Sequence, residues 1–122
     1  MAKKILTIDD SRTIRDMLML TLTDAGYEVL QGVDGQDGID VLGNQPVDVV
    51  ITDINMPVMD GLTLIRELRK LPAFKGVPIV FLTTESDAVM KQQAKAAGAT
   101  GWITKPFQQD QLLAVVRKVL GA

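Results

Sequence analysis

Along the chain, short runs of β-branched and aliphatic residues alternate with stretches whose apolar positions recur every three or four residues. The first run is Ile5-Leu6-Thr7-Ile8, stopped by Asp9-Asp10. Ile14, Met17, Leu18, Thr21, Leu22 and Ala25 then fall on one helical stripe, and Gly26 stands where a helix C-terminal cap would. Tyr27 to Gln31 predicts a second strand, and Gln36 to Leu42 a short helix entered through Asp34-Gly35. Val47, Val49, Val50 and Ile51 form a near-continuous apolar strand that ends at Thr52-Asp53. Leu64, Ile65, Leu68 and Leu71 mark the third helix, and Val77 to Thr83 the fourth strand. Met90, Ala94 and Ala97 give a fourth helix closed by Gly98. Trp102-Ile103-Thr104 is a short fifth strand, and Leu112, Leu113, Val116, Val119 and Leu120 draw the stripe of a last helix.

Five strand-then-helix units in succession predict an α/β fold: a single-domain, doubly wound (βα)5 parallel sheet covered on both faces. The unbroken apolar character of the third and fourth strands agrees, because parallel strands are buried on both sides. At 122 residues the chain has the size of one domain, and 47% hydrophobic residues supply a core. No linker, repeat or low-complexity segment interrupts the pattern.

Composition narrows the chemistry. A net charge of -2 argues against nucleic-acid binding, which usually needs a basic surface. The absence of Cys removes disulfides, a thiolate nucleophile and a Cys metal site. The absence of His removes imidazole as base, metal ligand and phosphate carrier. MAKKILTIDD is too soon interrupted by charge to be a signal peptide, and no stretch approaches the ~20 apolar residues of a membrane span. A cytoplasmic monomer is the expectation.

In doubly wound sheets ligands bind beyond the carboxyl ends of the strands. Asp9-Asp10 follow strand one, Asp53 ends strand three, Thr83-Thr84 end strand four, and Lys105-Pro106 follow strand five. The pattern predicts three carboxylates, a hydroxyl and an ammonium in one cleft. Three bare carboxylates would repel one another and raise their pKa values. Lys105 and a divalent cation would bring the local charge to zero. With only oxygen ligands on offer, the cation is expected to be Mg²⁺, with Mn²⁺ as a substitute; Zn²⁺ fits poorly without His or Cys. A carboxylate beside such an ion can attack phosphorus, and phosphoryl transfer mainly needs positioning and charge neutralisation. Asp53 is the candidate nucleophile, while Lys105 and the Thr83 hydroxyl would contact the transferred group.

Asp9-Asp10, Asp53-Ile54-Asn55-Met56-Pro57, Met59-Asp60-Gly61, Thr83 and Lys105-Pro106-Phe107 together resemble the signature of response-regulator receiver domains, in order and over essentially the whole chain, 1-122. The resemblance is strongest to the single-domain chemotaxis regulators of that family. It implies a flavodoxin-like sheet with strand order 2-1-3-4-5. It also implies a two-component phosphorelay role in which Asp53 accepts a phosphoryl group from a histidine kinase of the chemotaxis type. Asp10, Asp53 and the backbone carbonyl of Asn55 would hold Mg²⁺ directly, with Asp9 acting through water. Thr83 and Trp102 would form the switch, Thr83 moving toward the phosphoryl group and the aromatic residue turning inward behind it. A cis Lys105–Pro106 bond is expected on the same ground. Asn55 and Glu85 match residue types of chemotaxis regulators, which implies an acyl phosphate lasting seconds to minutes.

The chain ends straight after its fifth helix, with no output domain, so output is expected through binding. The face formed by helix four, strand five and helix five, with Lys91, Trp102, Thr104 and Lys118, is the expected surface. A flagellar motor switch or a phosphatase is the expected target. Such a protein is not a conventional enzyme, although it catalyses its own phosphorylation and dephosphorylation. Three other readings stay open: a phosphate sink or relay intermediate, which the sequence does not separate from a motor-binding switch, and two that fit less of it, a Mg²⁺-dependent phosphatase with an aspartyl nucleophile and a pseudo-receiver that only binds.

Other residues take structural roles. Asp60 is expected to cap a helix and Gly61 to take a backbone position that glycine tolerates. Met17 and Met19 are expected in the core. Arg66, Arg69 and Lys70 are expected on a solvated helix face.

Overall fold

The computed structural model describes residues 3–42, 46–53, 59–83 and 88–120, the side chains of Ala73 and Met90 aside. Strands β1 (Lys4–Ile8), β2 (Glu28–Gly32), β3 (Val49–Asp53), β4 (Ile79–Thr83) and β5 (Gly101–Thr104) alternate with helices α1 (Arg12–Asp24), α2 (Gly35–Leu42), α3 (Gly61–Lys70), α4 (Ala88–Ala97) and α5 (Gln109–Leu120). All pairings are parallel and the strand order is β2-β1-β3-β4-β5. The alternation predicts the parallel sheet, and the resemblance implies its flavodoxin-like order. None of the described helices is long and apolar enough to cross a membrane.

The two-residue period of a strand sends alternate side chains to opposite faces, and that divides the core. Leu6, Ile8, Val50, Ile79 and Phe81 pack with Leu42 of α2, Leu64 and Leu68 of α3 and Ala94 of α4. Ile5, Val49, Ile51, Val80 and Leu82 pack with Leu18 and Leu22 of α1 and Leu112 and Val116 of α5. Every residue of β3 and β4 is buried, which explains their unbroken apolar runs.

Local chemistry sets the element ends. Ser11 caps α1, its Oγ accepting from the Ile14 N–H at 3.4 Å. Asp60 caps α3 as predicted, its Oδ1 accepting from the Thr63 N–H at 2.8 Å. Gly26 and Gly98 follow α1 and α4 at φ +96° and +115°, the left-handed conformation that glycine adopts without steric cost.

At four apolar residues the boundaries differ from the sequence reading. Tyr27 precedes β2, because its N–H turns back to the Leu22 carbonyl of α1 at 3.1 Å. Val47 precedes β3, which begins after Asp48 has accepted the Lys4 N–H on its carboxylate at 2.7 Å. Val77 precedes β4, since its N–H turns back to the Phe74 carbonyl at 3.4 Å and Pro78 has no N–H to offer a ladder. Leu71 lies outside α3 and is 42% exposed, because Pro72 opens a short 3-10 turn (Pro72–Phe74) and disfavours helix at the residue before it.

Arg69 corrects a further expectation. Arg66 and Lys70 are exposed, but Arg69 is half-buried. Its Nε and Nη2 donate to the Gly98 carbonyl at 3.0 and 2.8 Å. Its Nη1 donates to the carbonyls of Phe74 and, at 2.7 Å, Val77. One guanidinium thus ties the end of α3 to the turn before β4 and to the end of α4. Helix ends leave carbonyls without intrahelical partners, and the five donors of Arg can serve several at once. Burial pushes its pKa below the ordinary value, yet an arginine stays charged in proteins.

Candidate functional site

Strand register assembles the site. Ile8 pairs with Thr52, so Asp9 and Asp53 emerge side by side, one residue further on. Thr83 pairs with Thr104, so Thr83 and Lys105 meet at the same edge. The Lys105 N–H donates to the Thr83 carbonyl at 2.6 Å and carries the β4–β5 ladder one step beyond the strand. The Lys105–Pro106 bond is cis, as expected, and Phe107 is buried in the core beside α1 and α5.

The Lys105 ammonium lies 2.9 Å from Asp9 Oδ2 and 3.3 Å from Asp53 Oδ1. Asp9 is fully buried, and each of its polar groups has a partner. Its Oδ1 accepts from the Ser11 N–H at 2.8 Å, its own N–H donates to the Gly32 carbonyl at 3.2 Å, and its carbonyl accepts from Arg15 Nη1 at 2.7 Å. Gly32 can stand that close only as glycine, because a Cβ there would sit 2.8 Å from the Gly38 Cα in α2. Asp53 is buried at 7% exposure, whereas Asp10 is exposed at the rim.

One carboxylate oxygen from each of Asp9, Asp10 and Asp53 lies within 4.8 Å of the other two. Oxygens on opposite sides of an octahedral Mg²⁺ with 2.1 Å bonds stand about 4.2 Å apart, so small side-chain adjustments would fit all three around one ion. The donor set is hard oxygen throughout. The charge also fits: three carboxylates and one ammonium leave a deficit that a divalent cation would fill. Both Asp9 oxygens already accept hydrogen bonds, which suits contact through water, whereas Asp10 is exposed at the rim, which suits direct contact.

Thr83 is buried at the end of β4, next to Leu82, the register partner of Asp53. Asn55 and Glu85 lie outside the described residues. So do Met56, Pro57 and Thr84. Sequence reasoning missed Ser11 and Arg15 as supports of Asp9. Ser11 had a legible signal, a capping residue directly before an apolar helical stripe. Arg15 had none, because its partner is a main-chain carbonyl.

Trp102 lies apart from the acid cluster, on β5, and is 45% exposed. Its ring packs on its cross-strand partner Phe81 with centroids 6.3 Å apart, and the Lys91 ammonium from α4 stands 4.5 Å from the indole centroid. With Ile103, Thr104, Pro106, Gln111 and Val115 it lines a shallow cleft of about 290 Å³ on the β5–α5 side. Lys91 and Thr104 therefore join Trp102 on one surface, and Lys118 is exposed on α5.

Comparison with known proteins agrees with this geometry. Residues 5–117 match the family model of the response regulator receiver domain. The chemotaxis protein CheY4 of Vibrio cholerae is 43% identical, with a TM-score of 0.95 over 98% of this chain and 99% of that one. A CheY-like receiver domain protein of Methanospirillum hungatei is 27% identical, with a TM-score of 0.92 over 99% and 95% of the two chains. The receiver domain of a sensor histidine kinase from Pseudomonas aeruginosa, solved with magnesium coordinated in its active-site cleft, is 25% identical, with a TM-score of 0.91 over both full chains. The strand order is thus that of a known fold, and the chain belongs to the response-regulator receiver family of two-component signalling.

Proposed function

We propose that this chain is a phosphoryl-accepting switch whose acceptor is Asp53. The observation that carries the reading is the single ammonium of Lys105 bridging Asp9 and Asp53 beside a third carboxylate, Asp10. An Asp53 oxygen attacks the phosphorus of a phosphohistidine on a partner kinase. The new O–P bond forms as the N–P bond breaks, and the departing imidazole takes up a proton. Because these 122 residues hold no His, the donor imidazole lies outside them. Lys105 balances charge that builds on the phosphoryl oxygens, and Thr83 donates a hydrogen bond to one of them. Asp10, Asp53 and the Asn55 carbonyl, with Asp9 through water, would hold Mg²⁺, which would supply the remaining positive charge. The magnesium in the Pseudomonas aeruginosa receiver supports that assignment.

The likeness to a Vibrio cholerae chemotaxis protein supports a kinase of the chemotaxis type and a flagellar motor switch or a phosphatase as target. Trp102 with Thr83 would carry the phosphorylation signal to the surface of α4, β5 and α5. The acyl phosphate is expected to last seconds to minutes.

The test is phosphotransfer from phosphorylated chemotaxis kinases to wild type and to Asp53→Asn, with and without Mg²⁺. Transfer to wild type alone, dependent on Mg²⁺, supports the proposal. Equal labelling of Asp53→Asn, or none of wild type by any kinase, sinks it. A phosphorylation-dependent pull-down with the flagellar switch protein tests the target.

A further inference from the structure

Helix α1 opens against its own dipole. Its first turn holds no acidic residue, and arginines stand at positions 12 and 15, near the positive end where cations are disfavoured. Arg12 forms an exposed i,i+4 pair with Asp16 at 3.8 Å. Arg15 does something else. It is half-buried, its Nη1 donates to the Asp9 carbonyl at 2.7 Å, and its own carbonyl accepts from Gln31 Nε2 at 3.1 Å. Helix stability therefore gives no reason for a cation here, but the Asp9 carbonyl does.

That carbonyl belongs to the peptide unit joining Asp9 to Asp10. A peptide unit is planar, so fixing its oxygen fixes the direction from which the Asp10 backbone departs. Asp9 does not depend on Arg15 alone, since Ser11, Gly32 and Lys105 also hold it. Asp10 is different. Among the described residues its carboxylate has no hydrogen-bond partner and it is exposed, so its aim toward Asp53 is inherited from the backbone.

We infer that Arg15 is a positioning residue for the cation site: by clamping the Asp9–Asp10 peptide plane it holds Asp10 in the orientation that binds Mg²⁺. The inference rests on the receiver chemistry proposed above. Groups that orient metal ligands typically change affinity by about 10- to 100-fold when removed.

The experiment titrates Mg²⁺ calorimetrically into wild type, Arg15→Met and Arg15→Lys, and records the Asp10 amide resonance of the metal-free proteins. Arg15→Met is expected to bind Mg²⁺ about tenfold more weakly and to shift the metal-free Asp10 amide. Arg15→Lys, which keeps a donor and the charge, is expected to recover most of the affinity and to lie between in shift. The Lys variant also serves if Arg15→Met does not fold. The inference is overturned if wild type binds Mg²⁺ and both variants bind within twofold of it, or if the Asp10 amide does not move. A wild type that takes up no Mg²⁺ overturns the cation site itself and this inference with it. A wild type that binds Mg²⁺ but accepts no phosphoryl group sinks the proposed function while leaving the role of Arg15 to the titration.

Discussion

The Lys105 ammonium stands between Asp9 and Asp53, 2.9 Å from one carboxylate and 3.3 Å from the other, so one cation from the end of β5 joins β1 and β3 across the sheet. Lys105→Met leaves two buried carboxylates facing each other. Breaking a fully enclosed ion pair costs about 3–5 kcal/mol. Here the cleft opens to solvent at Asp10, so the expected loss is about 2 kcal/mol in chelator, partly regained in Mg²⁺. Phosphotransfer to Asp53 is expected to slow by on the order of 10²-fold, the usual effect of removing one group that stabilises developing charge. Urea unfolding with and without Mg²⁺, and transfer kinetics, check both.

Asp10 adds negative charge to a cluster in which, without metal, the one ammonium of Lys105 faces three carboxylates. Asp10→Asn is therefore expected to stabilise the metal-free protein, while Mg²⁺ binding weakens at least tenfold. At separations near 5 Å in a water-like surrounding, each like-charge pair costs on the order of 1 kcal/mol. Opposite changes in the unfolding midpoint without Mg²⁺ and in calorimetric affinity are the signature. A variant less stable than wild type in chelator would count against it.

Arg69 holds carbonyls of two segments, the 74–77 turn and the end of α4, with one guanidinium. Arg69→Met is expected to destabilise the fold by about 2–4 kcal/mol, because hydrogen bonds to a charged donor contribute about 1.5–3 kcal/mol each and are not additive. Arg69→Lys is expected to recover only part, since an ammonium lacks the planar fork. Hydrogen exchange should quicken first at the end of α4 and at residues 74–77. Exchange that rises uniformly instead would show that Arg69 has no local role.

Lys91 and Trp102 meet across α4 and β5 at 4.5 Å. An exposed cation–π contact contributes about 0.5–1 kcal/mol. Lys91→Met should cost no more than that in stability, yet it should change the emission of Trp102, the sole Trp in the sequence. If Trp102 turns inward on phosphorylation, Lys91→Met should also enlarge the emission change produced by a phosphoryl mimic, because one contact of the outward ring is gone. An unchanged emission in both states would remove Trp102 from the signal path.

Much of the architecture was readable because burial leaves a periodic trace. The unbroken Val49–Ile51 and Ile79–Leu82 runs announced strands covered on both faces, and the 3.6-residue stripes announced the helices over them. Boundaries were less readable. Tyr27, Val47, Leu71 and Val77 are apolar and were drawn into neighbouring elements, but a hydrogen bond or a following proline makes β2, β3 and β4 begin later and α3 end sooner. Arg69 was misread because a charged residue in a helical pattern looks the same whether it meets water or a row of carbonyls.

The sequence by itself determined the chemistry on offer: three carboxylates, a hydroxyl and an ammonium at strand ends, with no His or Cys to compete. It did so because strand ends are marked locally, by the residue that breaks an apolar run. Only the tertiary structure decided how those groups divide their roles. Register set Asp9 beside Asp53 and brought Lys105 between them across 96 residues of chain. Packing left Asp9 sealed and Asp10 open, and turned Arg15 onto a main-chain carbonyl. Main-chain oxygens are the same at every position, so no residue pattern records which one a distant side chain will find.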